Sequence, residues 1–220
     1  MNHSIKALAL GVAAIVSSLW AQPKPPKVIL LVGPPGSGKT TQAKVLSKEY
    51  GIPAVSMADL LKKETASQKS PIAKKMASSV ASGEVLNDEA SAEMVGQYLR
   101  RADVHKGFIL DGFPSTAVQA KALDKILQDK HLPKAVVVVI DAPDDVIRKR
   151  MRSRRRADDK PENIDRRIQE FRNEAAILVG WAGQTHIVRV KGDVGVKDVS
   201  TQILAGLEQF WERQERGQLP

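Results

Sequence analysis

The stretch KVILLVGPPGSGKTTQAKVLSKEYG, Lys27 to Gly51, decides the fold. "KVILLVG" is a short, wholly apolar run bounded by prolines and a glycine, which predicts a strand buried on both faces. "KTTQAKVLSKEYG" reads as an amphipathic helix closed by Gly51, a residue suited to the turn after a helix. Between them, Gly33-Pro34-Pro35-Gly36-Ser37-Gly38-Lys39-Thr40 matches G-x-x-x-x-G-K-[ST] in the strand-to-helix setting that this pattern needs. Its glycines let backbone N–H groups turn inward around phosphate oxygens, and the helix start adds the positive end of its dipole. Lys39 is then placed to reach the β and γ phosphates and Thr40 to ligate Mg2+, with Thr41 completing the loop. These residues imply a nucleoside triphosphate site without revealing its use, because kinases, GTPases and motor ATPases share the loop.

Outward from this stretch the same beat returns in "PAVSM", "GFILDG", "KAVVVVIDAP" and "THIVRVKG", which with the first run gives five candidate strands separated by helical segments. Such alternation predicts an α/β chain with a parallel sheet covered on both faces. The segments Ala66 to Ser82 and Asn87 to Arg101 both read as helical and fall between the second and third strands, as an insertion able to form a small helical subdomain.

The chain has 220 residues, 42% hydrophobic and 27% charged, which suits one globular domain. It has no cysteine, which excludes disulfides, thiolate catalysis and cysteine-ligated zinc. Its four histidines are scattered without metal-ligand spacing. A net charge of +9 favours anionic partners. Seven of the nine residues in "RKRMRSRRR", Arg148 to Arg156, are cationic, yet aromatic content is only 4% and no stacking platform accompanies them, so no nucleic-acid partner is expected. "ALALGVAAIVSSLWA" after Lys6 has the length of a signal-peptide core and is short for a membrane span; residues 1–21 therefore read as a leader cleaved after Ala21, residues 22–26 as a proline-rich linker and 27–220 as the domain. The mature chain is exported if that segment is removed and cytoplasmic if it is retained; no stable membrane insertion is expected.

The second signature is "GFILDGFPST", Gly107 to Thr116, an apolar strand ending in a carboxylate and a turn. Here the chain resembles the adenylate kinase family of nucleoside monophosphate kinases, whose pattern at this point is [FYW]-x-x-D-G-[FY]-P-R. The resemblance runs from Lys27 to about Leu207 and takes in the phosphate loop, "VASGEVLNDE", Gln119 and "RADDKPENIDRR". It implies a P-loop NTPase fold with a five-stranded, doubly wound parallel sheet, an acceptor-binding helical insertion over about 56–85 and a short lid over about 150–160. It also implies a monomer that takes ATP, Mg2+ and most readily AMP, transferring a phosphoryl group to give two ADP. In that reading Lys39 and the loop hold the donor. Asp111 holds water on the metal, with Asp59 nearby. Arg150, Arg154, Arg156 and Arg167 surround the moving phosphoryl group, with Asp158 and Asp159 also catalytic candidates. Gln119, read as a surface glutamine, is the family's adenine reader. Arg148, Lys149, Arg152 and Arg155 read instead as a solvated helix face.

On the acceptor side the chain departs from the family pattern. The arginine that follows Gly-Phe-Pro, a ligand of the monophosphate, is Ser115; another acceptor arginine is Lys62, a point charge in place of a bidentate fork. Met57 and Ala58 replace a Thr-Gly pair. Three functions stay open on the sequence: an AMP kinase with compensated acceptor contacts, a P-loop kinase with another small acceptor, and a nucleotide-responsive binding protein with little turnover.

Overall fold

The computed structural model describes residues 25–67, 87–154 and 161–219. The five expected strands are β1 (Lys27–Val32), β2 (Ala54–Ser56), β3 (Gly107–Asp111), β4 (Val136–Asp141) and β5 (Ile187–Lys191). All pair in parallel, in the order β2-β3-β1-β4-β5, with Leu30 opposite Leu110 on one side and Val137 on the other. After β1 the chain leaves towards β2 and after β4 towards β5. The crevice beyond the carboxyl ends of these two adjacent strands is therefore the switch point where open α/β sheets bind ligands.

Because successive side chains alternate across a strand, β1 feeds two cores. Val28, Leu30 and Val32 join Phe108, Leu110, Val137 and Val139 on one face, beneath helices α3 (Asp88–Arg101), α4 (Ala117–Asp129) and α6 (Pro161–Ala182). Ile29 and Leu31 join Ile109, Val138 and Ile140 on the other, beneath α1 (Lys39–Tyr50) and α7 (Val196–Glu215). A third cluster, Ala142, Ile147, Met151, Ile164 and Ile168, docks α5 (Asp144–Arg154) on α6.

Local signals set several helix ends. Gly51 closes α1 in the left-handed conformation, φ 62°. The side chain of Asn87 accepts from the Ala90 N–H at 2.8 Å, with Asp88 and Glu89 in the first turn of α3 and Arg100 and Arg101 in its last, each sign matched to the dipole. Helix α2 (Met57–Ser67) opens the expected acceptor insertion. Residues 68–86 of that insertion, the lid residues 155–160 and the leader 1–21 lie outside the described residues. Among the described residues no helix is long and apolar enough to cross a membrane.

Candidate active site

The loop between β1 and α1 turns at Gly36 and Gly38, whose φ angles of 85° and 96° carry a large strain for any residue with a Cβ. Ser37 N–H donates to the Pro34 carbonyl at 3.0 Å, closing the turn. Helix α1 then starts with no side-chain cap and no acidic residue in its first turn, so its first N–H groups and dipole are left for an anion. Ser37 is buried, and its hydroxyl, which has no hydrogen-bond partner among the described residues, is turned back against Gly33, where an added Cβ would stand 2.5 Å from Oγ.

The loop opens on a cavity of about 520 Å³ at the carboxyl end of the sheet. Gly33, Pro35, Gly36, Gly38, Lys39, Thr40 and Thr41 form one wall, and Asp111, Gly112, Pro114 and Ser115, from the end of β3 and its turn, form a second. The Phe113–Pro114 peptide in that turn is cis. Lys39 Nζ donates to the carbonyls of Gly33 at 2.5 Å and Pro34 at 3.1 Å, across the mouth of its own loop. Thr40 Oγ1 donates to Asp111 Oδ2 at 2.7 Å. This pair sets two hard oxygen ligands side by side next to the phosphate loop. Few protein oxygens beside substrate phosphates is the donor set Mg2+ prefers, and the residues fit it. Among the described residues no cluster of three or more acidic, histidine or cysteine side chains offers an all-protein metal cage.

The adenylate kinase family model matches residues 31–186, spanning the loop, the Asp111 turn and the arginine-bearing helix α6. The chain belongs to the adenylate kinase family. It is 36% identical over 180 residues to adenylate kinase 1 of Nostoc sp. (strain PCC 7120), covering 81% of this chain and 97% of that one. It is 38% identical over 180 residues to the adenylate kinase of Prochlorococcus marinus, covering 81% and 96%, and 36% identical over 186 residues to that of Sinorhizobium medicae, covering 80% and 96%. Membership makes it a nucleoside monophosphate kinase, an ATP-dependent phosphotransferase.

Within this kinase the cationic candidates separate. Arg167 lines the cavity. Arg150 sits beside the loop, its Cβ 3.5 Å from where a Cβ on Gly36 would stand, and its guanidinium donates to the carbonyls of Gly192 at 2.5 Å and Val194 at 3.4 Å. Arg148 pairs with Asp165 at 2.7 Å and reaches Asp144 at 3.8 Å, while Lys149 and Arg152 are exposed, as a solvated helix face requires. Arg155, Arg156, Asp158 and Asp159, and the side chain of Arg154, lie outside the described residues.

On the acceptor side, Asp59 and Lys62 are exposed on α2, and neither is part of the cavity wall. Gln119 is no surface residue: it is 5% exposed and its amide is held on both ends. Its Oε1 accepts from the Ser115 N–H at 2.8 Å and Oγ at 3.2 Å, and its Nε2 donates to Asp88 Oδ1 at 2.9 Å. Thr116 Oγ1 donates to the other oxygen of Asp88 at 2.8 Å and accepts from the Gln119 N–H at 3.2 Å, capping α4. The amphipathic spacing of α4 turns Gln119 inward with Ala120 and Leu123, a burial that the short motif around it does not encode. The sequence reading also missed the third wall of the cavity, Glu170, Phe171, Glu174 and Leu178 on α6. Its signal was the helical spacing of these residues from Arg167.

Proposed function

We propose that this adenylate kinase acts as a monomer and transfers the γ-phosphoryl group of ATP to AMP, giving two ADP, with Mg2+ held through Thr40 and Asp111. The observation that carries the reading is the single cavity shared by the phosphate loop, the Thr40–Asp111 pair, Arg167 and Ser115. Phosphoryl transfer needs alignment and neutralisation of charge more than covalent help, and one cavity with donor and acceptor walls supplies the alignment. Loop N–H groups and Lys39 hold the donor phosphates, and Arg167 adds positive charge from the facing helix. The metal, when bound, neutralises charge on the donor phosphates.

The acceptor phosphate needs a cation that Ser115 does not provide. Lys62 lies one helical turn beyond Ala58, which lines the cavity, so both belong to one side of α2 and Lys62 is the nearest substitute. Arg154 and Arg156 are proposed to add positive charge for the phosphoryl group in transfer. Residues 1–21 are proposed to be a leader removed after Ala21; an intact Met1 or Asn2 in the mass spectrum of native material would argue against it.

The test is steady-state ADP formation from MgATP with AMP, and with CMP, UMP and GMP for comparison. AMP should be the best acceptor. Asp111→Asn should lower kcat far more than it weakens ATP binding, because it disturbs the metal and leaves the loop backbone intact. Transfer to some other small acceptor with none to AMP would sink the reading.

A further inference from the structure

Helix α6 presents Arg167, Glu170, Phe171, Glu174 and Leu178 to the nucleotide cavity, a stripe with the spacing of one helix face. One wall of a site for polyanions thus carries two carboxylates. Among the described residues, the charged groups lining the cavity are Lys39 from α1, Asp111 from β3, and Arg167, Glu170 and Glu174 from α6, three carboxylates to two cations. Glu174 is half-buried and feels the Lys39 ammonium, which favours its ionised form. Burial acts more strongly in the opposite sense and, with Glu170 adding to it, pushes the carboxyl above its ordinary value.

A triphosphate entering this cavity brings several negative charges to Lys39 and competes with Glu174 for it. Glu174 then has three outcomes: to remain ionised beside the phosphates, to move away, or to take a proton. In a partly buried site the first is the most costly. We propose that Glu174 is a proton-linked counter-charge of the nucleotide site, facing Lys39 when phosphate is away and taking one proton from solvent onto a carboxylate oxygen when the triphosphate binds. The inference rests on the reading of this cavity as the ATP site. Triphosphate affinity then falls as pH rises, and the carboxylate recovers its charge as product leaves.

The experiment is calorimetric titration of the full chain with MgATP, without AMP, in two buffers of different ionisation enthalpy, which counts protons taken up on binding. Wild type should take up more protons than Glu174→Gln, and Glu170→Gln should still take up more than Glu174→Gln. Glu174→Gln should bind MgATP at least about tenfold more tightly at about pH 8, with the gap closing as pH falls through the carboxylate range. Glu174→Ala, read in the same way, serves as the second variant. Equal proton counts in wild type and both Glu174 variants would overturn the proposal, as would loss of uptake in Glu170→Gln alone. If folded wild type binds no MgATP at any pH, the nucleotide-site reading itself fails, and this inference with it.

Discussion

Ser115 commits both of its donors, the backbone N–H and the hydroxyl, to one acceptor, Gln119 Oε1. An acceptor phosphate near this residue therefore meets no available hydrogen from it, a harsher change from arginine than side-chain size suggests. Hydrogen bonds to charged groups contribute roughly 1.5 to 3 kcal/mol, and each 1.4 kcal/mol is about tenfold in affinity. Ser115→Arg should accordingly lower the KM for AMP by about tenfold or more and leave that for ATP nearly unchanged, in kinetics on both proteins. A parallel change in both KM values would place residue 115 outside the acceptor subsite. Lys39→Ala should nearly abolish turnover while thermal unfolding stays within a few degrees of wild type, since its ammonium bonds to carbonyls of a turn that the Ser37 N–H already closes.

At the scale of elements, polar staples join the helices around the site. Gln42 of α1 donates to the Val196 carbonyl at 3.0 Å and accepts from Ser200 Oγ at 2.8 Å, fixing the phosphate-loop helix to α7. Asp88 of α3 joins Thr116 and Gln119 at the start of α4, which bears on the acceptor turn. The helix–sheet spacing can be tested with two glycines. A Cβ on Gly206 of α7 would stand 2.4 Å from Val188 Cγ1 of β5, whereas one on Gly180 of α6 meets nothing within 4 Å. Alanine in place of helical glycine stabilises by up to about 1 kcal/mol, and overpacking costs about 1 to 3 kcal/mol. Gly180→Ala should therefore raise, and Gly206→Ala lower, the free energy of urea unfolding, each by about 1 kcal/mol. The same sign at both sites would show that α7 yields freely from the sheet.

For the molecule as a whole, the edge formed by β5 and α7 carries a pH dependence. His186 is buried against Phe210, ring centroids 5.4 Å apart, and burial, then the charge of Lys134, holds its imidazole below the ordinary value of 6.5. The unfolded chain takes up a proton at higher pH than the folded one. This contribution to stability is thus complete above about 6.5 and is lost as pH falls from there towards the folded value. The Tm should fall across that window, and His186→Asn should flatten the fall. Saturating MgATP, at about 100 times its Kd, should add about 2.7 kcal/mol to wild type and little to Lys39→Ala.

Local regularities carried the sequence reading a long way. Apolar runs marked β1, β3 and β4, which are buried along almost their whole length, while β5 was marked by its apolar-charged alternation, IVRVK, and the glycines and lysine after the first run announced the phosphate loop. Membership of the family was legible in spaced motifs for the same reason: each is held within a few residues of one turn. What the motifs could not contain was contact between distant elements. That Gln119 is buried on Asp88, 31 residues away, follows from how α4 packs on α3. That Arg150 bonds to the β5–α7 loop, 42 residues on, follows from where α5 crosses the end of the sheet. The carboxylates of α6 belong to the nucleotide cavity only because that helix folds back over the carboxyl ends of the strands, bringing Glu174 to a lysine 135 positions earlier in the chain. Side-chain periodicity fixes which face of an element is apolar, but the neighbours of its polar residues are set by packing, and packing is tertiary.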